Sequence, residues 1–139
     1  MYKDLFSAFL SSKDTLRIYR DDALVFSSEK ERLLPLMEYI ALPKKGIKGR
    51  PVTIFDKVMG NAAALLAIKA NCREVYSPLG SELGIKTLER AGIEYHLNEI
   101  VPYIMRPDGK GMCPMERLSV GKEPDDFFQE ILALIKADK

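Results

Sequence analysis

Between Val52 and Asn98 the hydrophobic pattern switches back and forth between two periods, and that alternation constrains the fold more than any other feature of the chain. Val52–Val58 reads as a strand, Gly60–Ala70 as a very apolar helix, and Arg73–Ser77 as a second strand. Gly80–Ala91 then reads as a helix closed by Gly92, and Ile93–Asn98 as a third strand. Strands and helices alternating over such short connections demand right-handed β-α-β crossovers, and therefore a largely parallel half-sheet.

The flanking segments complete the drawing. Leu5, Phe6, Phe9 and Leu10 share one face of a short helix spanning Tyr2–Ser11. Thr15–Arg20 alternates, Asp21-Asp22 supplies a tight turn, and Ala23–Ser27 returns, so the spacing predicts a β-hairpin. Pro35 fits the first turn of a helix running through Leu36, Met37, Tyr39 and Ile40. The stretch Pro43–Pro51 is a basic loop, readable as an anion-gripping lid or as a solvated connector. Val101–Arg106 suggests one more strand and Pro107–Gly111 a turn. Pro124 opens a last helix with Phe127, Phe128, Ile131, Leu132 and Ile135 on its buried face. The expected fold is a single α/β domain over 1–139, three-layer α/β/α, with an antiparallel hairpin followed by parallel β-α-β-α-β in one mixed sheet.

Composition narrows the function classes. The 139 residues carry 21 Lys plus Arg against 20 Asp plus Glu, a net charge of +1, which leaves no electrostatic footprint for nucleic acid or an anionic membrane. Cys72 and Cys113 stand far apart and His96 is the sole histidine, so a Cys/His zinc site cannot be assembled, and neither a metal nor a cofactor is expected. The first residues mix acid and base, unlike a signal peptide, and the longest apolar run, Ala62–Ile68, is too short to span a bilayer. A cytoplasmic location with reduced thiols is the expectation.

Two helices that each follow a parallel strand aim their N-termini into one crevice at the strand ends. Unpaired N–H groups and a partial positive charge make such a place attractive to an anion. Lys57 at the strand end, Gly60 at the turn, and the hydrogen-bonding side chains of Asn61, Ser77 and Ser81 are the candidate contacts there. Equally, Asn61 and Ser81 could simply cap helices while Lys57 is a solvated charge. Asp56 and Lys57 are adjacent and point to opposite faces of a strand, so one faces the crevice and the other its rim. In the crevice Asp56 could orient a ribose hydroxyl; an ordinary ion pair is the alternative. Cys113, before Pro114-Met115-Glu116, could be a nucleophile or a small buried thiol, with Glu116 capping or pairing with Arg106 or Arg117. Cys72 and His96 read as structural.

The order of elements, with Ser77-Pro78 ahead of the second helix and Ala91-Gly92-Ile93 after it, resembles the cytidine deaminase fold. Active deaminases open the first helix with His-Ala-Glu or Cys-Ala-Glu and the second with Pro-Cys-x-x-Cys, which hold zinc and the proton-shuttling glutamate. Here Pro78 is in place, but Leu79 and Glu82 stand at the cysteine positions and Ala62-Ala63-Ala64 at the first motif. Over almost the whole chain, Asp56–Ala64, Ser77-Pro78-Leu79, Ala91-Gly92-Ile93, Val101-Pro102 and Cys113–Glu116 together resemble the family known as domain of unknown function 1893. That resemblance implies a deaminase-like fold without the zinc ligands and a pocket, and it adds Pro78, Glu82, Cys113 and Glu116 to the residues around it. The expected function is binding of a nucleotide-like or phosphorylated small molecule, the ADP-ribose type included, at the vacated site. Two alternatives stay open: a metal-independent group-transfer enzyme using Asp56, Lys57 or Cys113, and a structural module that self-associates, for example as a homodimer.

Overall fold

A computed structural model describes residues 2–43 and 50–137. The inner residues of the basic loop, 44–49, lie outside them. Helix α1 (Tyr2–Leu10) precedes the hairpin β1 (Leu16–Arg20) and β2 (Ala23–Ser28), and α2 (Leu34–Ala41) leads on to β3 (Val52–Asp56). The alternating half follows as α3 (Asn61–Lys69), β4 (Cys72–Ser81), α4 (Glu82–Arg90) and β5 (Glu94–Val101), and then α5 (Pro114–Ser119) and α6 (Pro124–Ala137). The five strands form one sheet in the order β2-β1-β3-β4-β5. β1 pairs antiparallel with β2 and β3, while β3-β4 and β4-β5 are parallel. The mixed sheet flanked by helices is the expected three-layer arrangement.

The hairpin turn works because Asp21 and Asp22 both adopt positive φ, 50° and 71°, as a two-residue type I′ turn requires. Aspartate tolerates this left-handed conformation better than most residues. Strand alternation then sorts the core. Leu16, Ile18, Val52, Ile54 and Val75 face α2, α3, α4 and α6, and join Leu36, Leu66, Leu88 and Phe127 in the main core. Tyr19 and Phe55 point the other way and pack with Tyr2 and Phe9 of α1, a small aromatic core joined at its edge by Phe6 and Tyr76. α3 is buried from Asn61 to Ala67, and its small side chains let α2, α4, α5 and α6 all pack against it.

Several expected boundaries move: β5, expected to end at Asn98, runs on to Val101, and α4, expected from Gly80, starts at Glu82. β4 does not stop at Ser77 but continues to Ser81, because Met59 N–H donates to Leu79 O (2.8 Å) and Ser81 N–H to Met59 O (3.2 Å), which extends pairing past Pro78. The expected strand over Val101–Arg106 is not formed: β5 runs to Val101, and beyond it only Met105 bridges to Met112 across the Pro107–Gly111 turn. A further helix, α5, begins at Pro114, whose fixed φ suits a first helical position.

Candidate functional site

The N-termini of α3 and α4 do converge. A Cβ on Gly84 would lie 2.9 Å from the Gly60 carbonyl carbon and 3.0 Å from Met59 O, so the two helices touch backbone to backbone. Ser81 caps α4 by accepting the Gly84 N–H at 3.0 Å.

The α3 N-terminus holds an anion, and the anion belongs to the chain itself. Glu116, 2% exposed, reaches in from α5. Its Oε1 accepts the Asn61 N–H at 2.7 Å and its Oε2 accepts the Ile104 N–H at 2.9 Å. Charge at a helix start and two charge-assisted bonds account for burying a carboxylate here. Asn61 extends the network: its side-chain amide donates to Ser119 O (3.1 Å) and Ser119 Oγ (2.9 Å), and its Oδ1 accepts from Thr87 Oγ1. Ser119 Oγ donates in turn to Glu116 O at 2.7 Å. Three helices, α3, α4 and α5, and the segment at Ile104 are thereby tied together by polar groups. Gly60 serves this closure, since a Cβ there would sit 2.6 Å from Ile104 Cγ1 and 2.7 Å from Glu116 Oε1.

The remaining candidate residues separate. Lys57 turns toward α1, where its ammonium donates to Ser12 O at 3.2 Å and lies 4.8 Å from the centre of the Phe9 ring. Asp56, on the opposite face, is buried, and Val58 N–H reaches its Oδ1 at 3.4 Å. Burial pushes its carboxyl up to about 7, against a smaller opposing effect of the Val58 and Lys57 N–H groups. Ser77 is buried and donates to Leu79 O (2.9 Å), folding back on its own strand beside the half-buried Pro78. Glu82 is exposed in the first turn of α4. Cys113 is half-buried ahead of α5, with its N–H bonded to Ile104 O at 2.8 Å. Among the described residues no hydrogen bond brings Cys113 to Asp56 or to Lys57. Cys72 is buried and its thiol is raised to about 12 by desolvation, which makes it unreactive.

Space for a ligand opens on the outer side of α5. A cavity of about 560 Å³ there is lined by the cations Arg106, Lys110, Arg117 and Lys122 and by apolar Met112 and Leu118, with no carboxylate in its wall. Arg106 pairs with Asp108 (3.3 Å) and Lys122 with Glu130 (2.9 Å), whereas Lys110 and Arg117 have no ion-pair partner among the described residues. The signal for this place was present in the basic residues around Cys113–Glu116, but nothing in the spacing said that α5 would turn Glu116 inward and Arg117 outward.

A sequence model described as "Domain of unknown function (DUF1893)" matches residues 7–135. A crystal structure of a DUF1893 family protein from Thermotoga maritima superposes with a TM-score of 0.81 at 23% identity, covering 94% of this chain and 87% of that one. No curated protein matches.

Proposed function

The chain belongs to the DUF1893 family, and from that premise we propose that it binds a small phosphorylated molecule, nucleotide-like in size, in the cavity outside α5. The carrying observation is a cavity of about 560 Å³ whose wall holds four cations and no acid. Ligand sites commonly fall between roughly 300 and 1,000 Å³, large enough for a nucleotide. Arg117 offers a planar fork suited to phosphate oxygens, and Lys110 a mobile point charge. Met112 and Leu118 give a base or other flat group an apolar wall.

The strand order supports a further reading, kinship with the cytidine deaminase fold, since α3 and α4 follow β3 and β4 and their N-termini meet. On that reading the place where a deaminase keeps its metal is closed by Glu116 and Ile104, which favours the outer cavity over the crevice for an anion.

Calorimetry with pyrophosphate, a nucleoside diphosphate and ADP-ribose tests this. Arg117→Glu is expected to weaken the best of these at least ten-fold, as loss of a charge-assisted bond worth about 1.5–3 kcal/mol implies. Lys57→Ala is expected to bind like the wild type. Added salt is expected to weaken binding, because the cations line an open wall. Loss of binding in Lys57→Ala with full binding in Arg117→Glu would return the ligand to the end of β3. Absence of binding across the set would refute the reading.

A further inference from the structure

We propose that Glu74, Glu94 and His96 form a binding site for a divalent first-row transition cation. The three side chains come from adjacent parallel strands and share one face of the sheet. Glu74 of β4 stands opposite Glu94 of β5, and Tyr76 stands opposite His96. Residues two apart in a strand point the same way, so all four side chains meet in one patch. His96 Nε2 lies 2.9 Å from Glu74 Oε2 and 3.1 Å from Glu94 Oε2. The three ligand atoms fall within 4.8 Å of one another.

Two features distinguish this patch from a surface ion pair. A ring nitrogen carries at most one proton, yet two carboxylates converge on the same one. Moreover, like charges directly opposite each other on neighbouring strands are unfavourable, and the backbone register puts Glu74 and Glu94 in that relation. A dication relieves the repulsion and takes all three atoms as ligands. In a tetrahedral set, metal–ligand bonds of about 2.0–2.2 Å place neighbouring ligand atoms roughly 3.4 Å apart, so the N···O spacings of 2.9 and 3.1 Å need only open slightly. Tyr76 holds the set in position: its ring stacks on His96 at 4.2 Å and 14°, and its hydroxyl lies 3.3 Å from Glu74 Oε2.

The cation's identity follows from the ligands. Imidazole nitrogen favours zinc and its neighbours over magnesium or calcium, and two carboxylates complete a three-ligand set with positions left for water or a substrate oxygen. Glu94 and His96 are exposed, so the ion has an entry path. The absence of a Cys/His zinc set does not bear on this place, because glutamates supply two of its three ligands.

Titration of the full chain with Zn²⁺, followed by calorimetry, and with Co²⁺, followed by visible absorption, tests the site. About one ion per chain is expected. Glu94→Gln and His96→Ala should each weaken binding at least ten-fold while melting like the wild type, and Tyr76→Phe should weaken it less. Glu99→Gln, on the same strand, and Cys113→Ser should leave binding unchanged. The Co²⁺ spectrum should show ligand-field bands without a thiolate charge-transfer band. Absence of saturable binding, affinity indifferent to His96→Ala and Glu94→Gln, loss of binding in Cys113→Ser, or a preference for Mg²⁺ or Ca²⁺ would overturn the proposal.

Discussion

Asp56 ends β3 with its carboxyl group inside the protein, and its protonation links folding to pH. Its pKa rises from an ordinary 3.8 to about 7 on folding, chiefly through burial. Between those values the unfolded chain has lost its proton and the folded chain has kept it, so rising pH favours unfolding across that window. Asp56→Asn removes this contribution. Its stability relative to wild type is expected to be greater at pH 8 than at pH 4, by up to roughly 4 kcal/mol, measured by urea unfolding at both values. An equal difference at the two pH values would show that the group titrates normally. Glu116 matters at this scale through its hydrogen bonds, as a buried acceptor for two backbone N–H groups. Glu116→Ala leaves the Asn61 and Ile104 N–H groups without their acceptor, and a loss of about 2–5 kcal/mol is expected from denaturant melts. Glu116→Gln keeps an acceptor oxygen and should lose less.

At the scale of elements, the contact between α3 and α4 sets the geometry around Glu116. Gly84 permits it, since a Cβ would press on the Gly60 carbonyl carbon at 2.9 Å, and backbone atoms cannot swing aside as a side-chain end can. Gly84→Ala is therefore expected to destabilise by about 1–3 kcal/mol, despite alanine's better helix propensity. Thermal unfolding checks this, and a variant as stable as the parent would show that the helices separate at little cost. A separate close approach, at Gly60, means that Gly60→Val would not report on a ligand in the crevice. Its side chain would strike Glu116 and Ile104, so reduced binding would follow from disrupted packing alone. α5 carries two roles on two faces: Glu116 closes the crevice, and Arg117 lines the cavity outside it.

At the scale of the whole molecule, the sheet separates two unequal cores. Among the described residues α1 alone covers the aromatic side, where Tyr2 and Phe9 pack on Tyr19 and Phe55. Removing residues 2–11 would expose those rings while leaving the larger core's own residues in place. The truncated chain is expected to bind a hydrophobic dye and lose its sharp melting transition, and dye binding no greater than that of the full chain would argue against this role for α1. The cover also stops short of the sheet's far edge, where Glu94 and His96 on β5 are exposed. That open corner gives solvent access to the proposed cation site, and the positively lined cavity lies outside α5, separate from this strand pair.

The amino-acid sequence by itself determined the order and type of most elements, because period, turn chemistry and caps are local. The Asp21-Asp22 turn, Pro35 in the first turn of α2, Ser81 as a cap and Gly92 at φ 72° all follow from the preferences of a few neighbouring residues. The convergence of two helix N-termini was legible too, since parallel crossovers impose it. Which group would satisfy those N-termini was decided only in three dimensions. Glu116 lies far along the chain from Asn61, and no spacing rule connects them. Lys57 likewise turned toward Ser12 and Phe9 because α1 packs on that side of the sheet. The meeting of Glu74, Glu94 and His96 depends on the parallel register of β4 and β5, a property of the pair of strands that neither strand's sequence contains.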